Sequence, residues 1–211
     1  MKAPHRQVIY RLYNDNDYEA LTEILADQWY PHLDHKYAMI CAAAEVDVHL
    51  AHTTHAITAE VDGKVMGVSF ARWQDSTRTW ERLEHMRDLV NEYKDEIDVV
   101  QEIILLRDEN NLMRRVVAEH GGDSVGALEL LIVSPEARGL GIGKSLFQQN
   151  TQWLKEQGAK AYRLTTDDDC DWGFYEYIGM VRKGELVASI TETQKLDEPF
   201  RIYVYEGSLE D

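Results

Sequence analysis

One segment constrains the fold more than any other part of the chain, because it joins a strand, a turn and a helix start. It runs from Val133 to Leu146 and reads Val-Ser-Pro-Glu-Ala-Arg-Gly-Leu-Gly-Ile-Gly-Lys-Ser-Leu. An apolar strand leads into it, a proline turns the chain, and the glycine-rich part opens a helix. Because such a helix start presents free backbone N–H groups and the positive end of a dipole, the segment predicts an anion-binding loop.

Two well-known phosphate-binding loops do not match this segment. A Walker A loop ending in Gly143-Lys144-Ser145 requires glycine at position 138, where the chain has arginine. A dinucleotide-binding fingerprint starting at Gly139 requires its third glycine at position 144, where the chain has lysine. The sequence therefore argues against a nucleotide triphosphatase and against a dinucleotide-binding domain.

A third glycine pattern does fit, and a second motif follows it. Arg138, Gly141 and Gly143 satisfy the pattern Arg/Gln-x-x-Gly-x-Gly/Ala. Downstream, the segment Phe174-Tyr-Glu-Tyr-Ile-Gly-Met180 is similar to a Phe-Tyr-x-x-x-Gly-Phe motif. The two motifs, in this order, resemble those of the GNAT superfamily of N-acetyltransferases, whose members hold the pyrophosphate of acetyl-CoA with the first motif.

The resemblance is specific over about residues 125–182 and has two departures there. Met180 stands where relatives usually have phenylalanine, which is an apolar exchange. Asp168, Asp169 and Asp171 occupy a segment where many relatives carry an asparagine that contacts CoA. Asp171 is expected among the cofactor-binding residues.

The resemblance implies an α/β fold with a GNAT-like mixed, mostly antiparallel central sheet flanked by helices. Hydrophobic periodicity agrees with this expectation, since it predicts a first strand over 7–13 and helices that end near Pro31 and cover about 34–50. An Asp-Gly pair between β-prone runs predicts a hairpin over 54–73. The length of 211 residues suits a single domain over 1–211.

A helical insertion is predicted at about 76–119. Apolar residues recur there at steps of three and four, and the polar stretch Arg107–Asn111 separates two such runs. The pattern predicts two helices divided at that stretch. The insertion can serve as a packing or dimerisation element, which includes a homodimer, or as a wall over the acceptor amine, and the sequence leaves these alternatives open.

The charge of the chain bears on its partners. Its 38 acidic and 22 basic residues give a formal net charge of -16, which disfavours nucleic acid as a partner. Because CoA is itself polyanionic, its site needs local positive potential, which Arg138, Lys144 and the helix start can supply. The remaining negative field favours a cationic acceptor, although it is equally consistent with a role in solubility alone.

The location is predicted to be cytoplasmic. Cys41 and Cys170 lie in unrelated contexts, which is typical of free thiols in a reducing compartment. Neither a signal-like N-terminal run nor a long apolar span is visible, so no membrane partner is expected. The eight histidines show no metal-ligand spacing, and no metal site is predicted.

The resemblance also implies which residues hold acetyl-CoA, the expected cosubstrate. In the family, the strand before the loop splays from its neighbour and offers backbone groups to the pantetheine amides and the thioester oxygen, as a bulged strand can. The implied cofactor-binding residues on the strand and the loop are Leu131, Ile132, Val133, Arg138, Gly139, Leu140, Gly141, Ile142, Gly143 and Lys144.

Two side chains are candidates for proton transfer. Tyr175 matches the family tyrosine whose hydroxyl lies near the CoA sulfur, and a phenol is protonated at neutral pH and can donate to the departing thiolate. Glu129 is the candidate base for the acceptor amine, and His52 and His55 are alternatives. Each of the four can instead be structural. Since no Ser-His-Asp trio can be placed, direct attack by the amine of a small molecule or peptide in a ternary complex is favoured.

Overall fold

The computed structural model describes residues 7–74, 80–122, 124–188 and 200–210. Two short 3-10 turns, Asp15–Asp17 and Pro135–Ala137, accompany the longer elements. The strands and helices are β1 (Val8–Leu12), α1 (Tyr18–Trp29), α2 (His35–His52), β2 (His55–Val61), β3 (Lys64–Trp73), α3 (Trp80–Glu92), α4 (Ile97–His120), β4 (Gly126–Val133), α5 (Ile142–Glu156), β5 (Ala161–Asp167), α6 (Trp172–Tyr177), β6 (Val181–Ala188) and β7 (Phe200–Ser208).

The strands form one seven-stranded sheet in the order β1-β2-β3-β4-β5-β7-β6. All neighbouring pairs are antiparallel except β4 and β5, which run parallel. The Asp-Gly hairpin joins β2 to β3, and β6 pairs with β7 as the predicted closing hairpin, whose connection 189–199 lies outside the described residues. The predicted fold class, a mixed and mostly antiparallel sheet flanked by helices, is confirmed. The single domain over 1–211 stays a prediction.

Helices cover both faces of the sheet. On one face, α1, α2 and α4 enclose a core in which Leu21, Leu25 and Phe70 are fully buried. On the other face, the apolar side of α5 buries Leu146 and Leu154 against the strands. The β4–β5 pair lies near the middle of the sheet and therefore has helices on both sides.

The helical insertion is present, but its two helices divide at a different place from the one predicted. Helix α3 ends at Glu92, residues 93–96 connect it to α4, and α4 then continues through the polar stretch Arg107–Asn111. Because the register restarts after the break, Ile97 is 70% exposed whereas Val99 is buried. The prediction was wrong here because apolar residues also recur at steps of three and four across the turn. Their spacing in the sequence therefore does not reveal where the helix ends.

Asp17 joins the start of α1 to the first two strands. Its buried carboxylate accepts two hydrogen bonds from Arg11, at 2.7 and 2.8 Å, and one each from the Asn14 backbone and the Thr58 hydroxyl. Burial acts to raise the pKa of Asp17, but the hydrogen bonds outweigh it and hold the pKa below its ordinary value. The folded state is therefore stabilised by the ionised form.

We expect Asp17→Ala to lower the free energy of unfolding by about 2–3 kcal/mol at neutral pH, because it removes hydrogen bonds to a charged group. The loss should shrink below about pH 4, since a group with a lowered folded pKa stabilises above its unfolded pKa and loses that effect as pH falls. Urea denaturation at pH 7 and pH 3 measures both. Asp15→Ala, at an exposed ion pair with Arg82, should cost less than about 1 kcal/mol. Equal costs for the two variants would contradict this account.

Candidate active site

The glycine-rich loop follows β4 directly and turns the chain into α5. The Ser134 hydroxyl accepts from the Glu136 backbone and starts a short turn, after which Gly139 and Gly141 take φ values of 82° and 71°. These values lie in the left-handed region, which glycine adopts without steric cost. Gly141 caps α5, so the backbone N–H groups of the first turn point away from the helix body.

The loop presents five backbone N–H groups that have no acceptor within the described ranges. They belong to Gly139, Gly141, Ile142, Gly143 and Lys144. The first amide of α5 that is bonded within the protein is that of Ser145, which donates to Gly141 at 3.1 Å. Such a group of free amides at a helix start can bind an anion such as a diphosphate.

The remaining predicted loop residues are differently placed. The backbone amides of Arg138 and Leu140 donate to the carbonyls of Pro135 and Ala137, so only their other atoms are available to a ligand. The side chains of Arg138 and Lys144 are solvent-exposed, and neither forms an ion pair with any described residue. Both cations can therefore add positive potential to the loop.

Beside the loop, the sheet opens between β4 and β5. These strands pair only at Gly126 with Tyr162 and at Ala127 with Arg163 among the described residues. On the other side, the β3–β4 register shifts so that Glu129 is an extra residue, as in a β-bulge. Beyond Ala127 the edge of β4 that faces β5 is therefore open to a ligand.

Along β4, the backbone N–H and C=O groups of successive residues point alternately toward β3 and toward β5. This alternation determines which residues offer backbone groups to the opening. Ser134 donates its N–H to Met66 at 2.8 Å, toward β3. Since bonding alternates in an antiparallel pair, Ile132 also faces β3 whereas Leu131 and Val133 direct their N–H and C=O groups toward β5. The Val133 carbonyl accepts from the Gln28 side chain of α1 at 3.3 Å. The N–H groups of Leu131 and Val133 are the better placed for a ligand, and Ile132 packs its side chain into the core.

Tyr175 lies on α6, on the same face of the sheet as α5. Its ring packs against Phe174 and Tyr205, with centroids 5.6 and 5.9 Å away. Burial, followed by the charges of Cys170, Asp167 and Asp171, raises the pKa of the hydroxyl above its ordinary value. No described residue accepts from or donates to this hydroxyl, so it is protonated and available as a proton donor. Tyr177 points elsewhere and is 83% exposed.

Glu129 is engaged by a neighbouring cation. Its carboxylate accepts from the Arg72 side chain of β3 at 2.7 Å. His52 ends α2 nearby, and burial lowers its pKa while the charge of Glu129 raises it. His55 begins β2 and stacks on Trp153 of α5 with ring centroids 4.4 Å apart. Of the three candidate bases, Glu129 thus has one oxygen committed to Arg72.

Two further groups lie between β5 and α6. Asp171 precedes α6 and is exposed, and its carbonyl accepts from the backbone of Phe174. Burial and then the charge of Asp167 raise the pKa of Cys170 to about 12. Cys170 is therefore a thiol at neutral pH, and a thiol is a poor nucleophile compared with a thiolate.

The model of the Acetyltransferase (GNAT) family matches residues 18–180, which is most of the chain, and the chain therefore belongs to this family. Members of the family bind acetyl-CoA and act on amine substrates. No curated protein sequence matches the chain.

Solved structures share the fold at low sequence identity. A protein from Desulfovibrio desulfuricans assigned to the GNAT family is 15% identical, with a TM-score of 0.57 and coverage of 97% of this chain and 100% of that one. The polyamine N-acetyltransferase of Drosophila melanogaster is 16% identical, with a TM-score of 0.56 and coverage of 96% and 100%. The ribosomal-protein-S18-alanine N-acetyltransferase of Escherichia coli is 11% identical, with a TM-score of 0.56 and coverage of 97% and 96%.

Sequence reasoning missed two features near the opening. The ion pair between Arg72 and Glu129 joins strands distant in sequence, and no local pattern indicates it. Glu109 lies in the polar stretch that was predicted to divide two helices, although its spacing from Leu106 and Met113 places it on the apolar face of α4. That spacing is the signal that could have identified it.

Proposed function

We propose that the chain transfers an acetyl group from acetyl-CoA to a primary amine of a small molecule or peptide, by direct attack in a ternary complex. The observation that carries the proposal is the run of five free amides at Gly139 and 141–144, next to an open β4 edge. The oxygens of a diphosphate can accept hydrogen bonds from the free loop amides. The amide groups of an extended ligand can pair with the unpaired backbone groups along the β4 edge that faces β5.

Backbone and side-chain groups of the chain supply the remaining steps. An N–H group of Leu131 or Val133 would donate to the thioester oxygen as negative charge develops, which is worth roughly 3 kcal/mol in comparable sites. The hydroxyl of Tyr175 would give its proton to the departing sulfur. The protonated state of Cys170 argues against an acyl-cysteine and favours direct attack.

The acceptor is proposed to be cationic. The net charge of -16 favours the approach of cations over that of anions. The Drosophila melanogaster neighbour is described as an enzyme that forms N acetylagmatine, which is consistent with such an acceptor but, at 16% identity, speaks for the fold alone. The cytoplasmic location and the homodimer stay predictions. No described helix has the length and apolarity needed to cross a membrane.

Two alternatives remain distinct from this proposal. The first is a non-catalytic domain that binds acyl-CoA and has a regulatory role, which the free amides would serve equally well. The second is an acyltransferase with a longer acyl donor, which the open edge of β4 would also accommodate. The uncommitted hydroxyl of Tyr175 favours an enzyme over a binding domain.

A thiol-release assay tests the proposal. Acetyl-CoA is offered with a panel of polyamines, aminoglycosides, amino acids and N-terminal peptides, and free CoA thiol is measured. We expect release that requires both acetyl-CoA and an amine, and that is fastest with a cationic amine. Binding of acetyl-CoA without release over the whole panel would support the regulatory domain, and release only from longer acyl-CoA would support the other alternative.

A further inference from the structure

Helix α4 crosses the sheet above the place where β4 and β5 part. Its first half packs Val99 and Ile103 in one cluster with Leu130 and Ile132 of β4. Its second half packs Val116 in a cluster with residues of β7. Because β5 lies between β4 and β7 in the sheet, the middle of α4 passes over the β4–β5 opening.

Glu109 occupies that middle position on the packed side of the helix. It shares a helical stripe with Leu106, Met113 and Val116, because side chains three and four positions apart lie on one face. Leu106 and Val116 are buried. Glu109 is half-buried and thus lies between the apolar residues Leu106 and Met113, on the side of the helix that packs on the sheet.

Glu109 has no hydrogen bond or ion pair with any residue that the structure describes. Three neighbouring acids, by contrast, each have partners. These partners are the Tyr30 hydroxyl and the His49 ring for Glu45, the His32 ring for Glu102, and the backbone N–H groups of Asp169 and Cys170 for Asp167. Glu109 therefore differs from them in having its carboxyl group free for a ligand.

The surroundings of Glu109 make it a stronger base than an ordinary carboxylate. Burial raises its pKa to about 8, and the charges of Glu45, Asp167, Glu102 and Asp169 act in the same direction. These groups face it from α2, from β5, from α4 itself and from the loop after β5. No three acidic, histidine or cysteine side chains of the described residues are placed to hold a metal ion.

Asp167 links Glu109 to the proposed proton donor. It ends β5, and its charge acts on both Glu109 and Tyr175. Tyr175 packs on the α5 side of the sheet, whereas Glu109 belongs to α4 on the opposite side. A thioester along the open edge of β4 would therefore have a phenol on one side and a free carboxyl group on the other.

We propose that Glu109 is the general base that takes a proton from the acceptor ammonium, in place of Glu129. This inference rests on the proposed function. The ammonium gives one proton to the Glu109 carboxylate, and the neutral amine then forms its bond to the acetyl carbon. As the carbon–sulfur bond breaks, Tyr175 gives its proton to the sulfur. The nitrogen, now bonded to the acetyl carbon, loses a further proton, and this proton goes to the phenolate of Tyr175. Glu109 finally releases its proton to water, so the products are an acetamide, a thiol and one proton.

The test measures turnover of Glu109→Gln with acetyl-CoA and spermidine. We expect kcat at about pH 7.5 to fall on the order of 100-fold, with the Kd for acetyl-CoA unchanged. The melting temperature should not fall, because the variant removes a half-buried acid that has no partner among the described residues. Glu119→Gln, an exposed position on the same helix, is the matched control and should stay within about twofold of wild type.

The outcomes separate this inference from the proposed function. If wild type releases no thiol over the whole amine panel, the proposed function fails and the role of Glu109 fails with it. If wild type is active and Glu109→Gln matches it while Glu129→Gln is inactive, only the role of Glu109 is overturned. A measurement without any variant completes the test: carbon-13 NMR of the wild-type carboxyl groups should show a glutamate that titrates near pH 8. Titration of every glutamate below about pH 6 would contradict the inference.

Discussion

Replacing Tyr175 with phenylalanine should lower kcat by about 100-fold or more, while the affinity for acetyl-CoA stays the same. The hydroxyl has no partner within the described ranges, and its raised pKa keeps the proton on oxygen at neutral pH. The sulfur needs this proton only while the carbon–sulfur bond breaks, so the loss should be in turnover rather than in binding. The ring of phenylalanine preserves the packing against Phe174 and Tyr205.

Steady-state kinetics and calorimetry on the same preparation measure the two quantities. Tyr177→Phe is the matched control, because it removes the same hydroxyl two positions away from a side chain that is 83% exposed. The control should leave kcat unchanged. If Tyr175→Phe turns over as fast as wild type, Tyr175 is not the acid and its burial is structural.

Replacing Gly141 with glutamate should weaken acetyl-CoA binding by at least about 100-fold, which corresponds to about 2.7 kcal/mol. The change places a carboxylate among amides that are proposed to hold a diphosphate, so the two anions repel each other and compete for the same donors. A Cβ atom at this position meets no other atom within 4 Å, but the φ of 71° is unfavourable for glutamate. We therefore expect a loss of stability of only about 1–2 kcal/mol and an otherwise intact fold.

Gly158→Glu provides the control for that strain. Gly158 follows the other end of α5, has a φ of 96°, and likewise has no atom within 4 Å of an added Cβ atom. It should show a comparable loss of stability with normal binding in calorimetry. Binding retained in Gly141→Glu, or lost equally in both variants, would mean that the loop is not the site of the diphosphate.

Much of the fold follows from local patterns in the sequence. The loop over 133–146 was identified because proline, glycine and the helix start lie next to one another, and local chemistry determines such a turn. The β2–β3 hairpin was predictable for the same reason, since an Asp-Gly pair fixes its turn. The opening between β4 and β5 was expected from the family resemblance, because no local pattern records where two distant strands stop pairing.

The acceptor side of the candidate site was less predictable. Glu109 sits in a stretch whose charged residues suggested a break, although its spacing from Leu106 and Met113 is that of the packed face of the helix that runs through it. Arg72 and Glu129 meet across a β-bulge, whose position depends on the register of two strands. Such contacts depend on tertiary pairing, whereas the phosphate loop depends on consecutive residues.

A crystal structure with acetyl-CoA tests the central claim most directly. We expect the pyrophosphate to lie within about 3 Å of the backbone amides of Gly139 and 141–144, with the pantetheine arm along the β5-facing edge of β4. The thioester should then reach the hydroxyl of Tyr175. A coenzyme bound elsewhere, or loop amides that turn inward onto protein acceptors in its presence, would contradict the account.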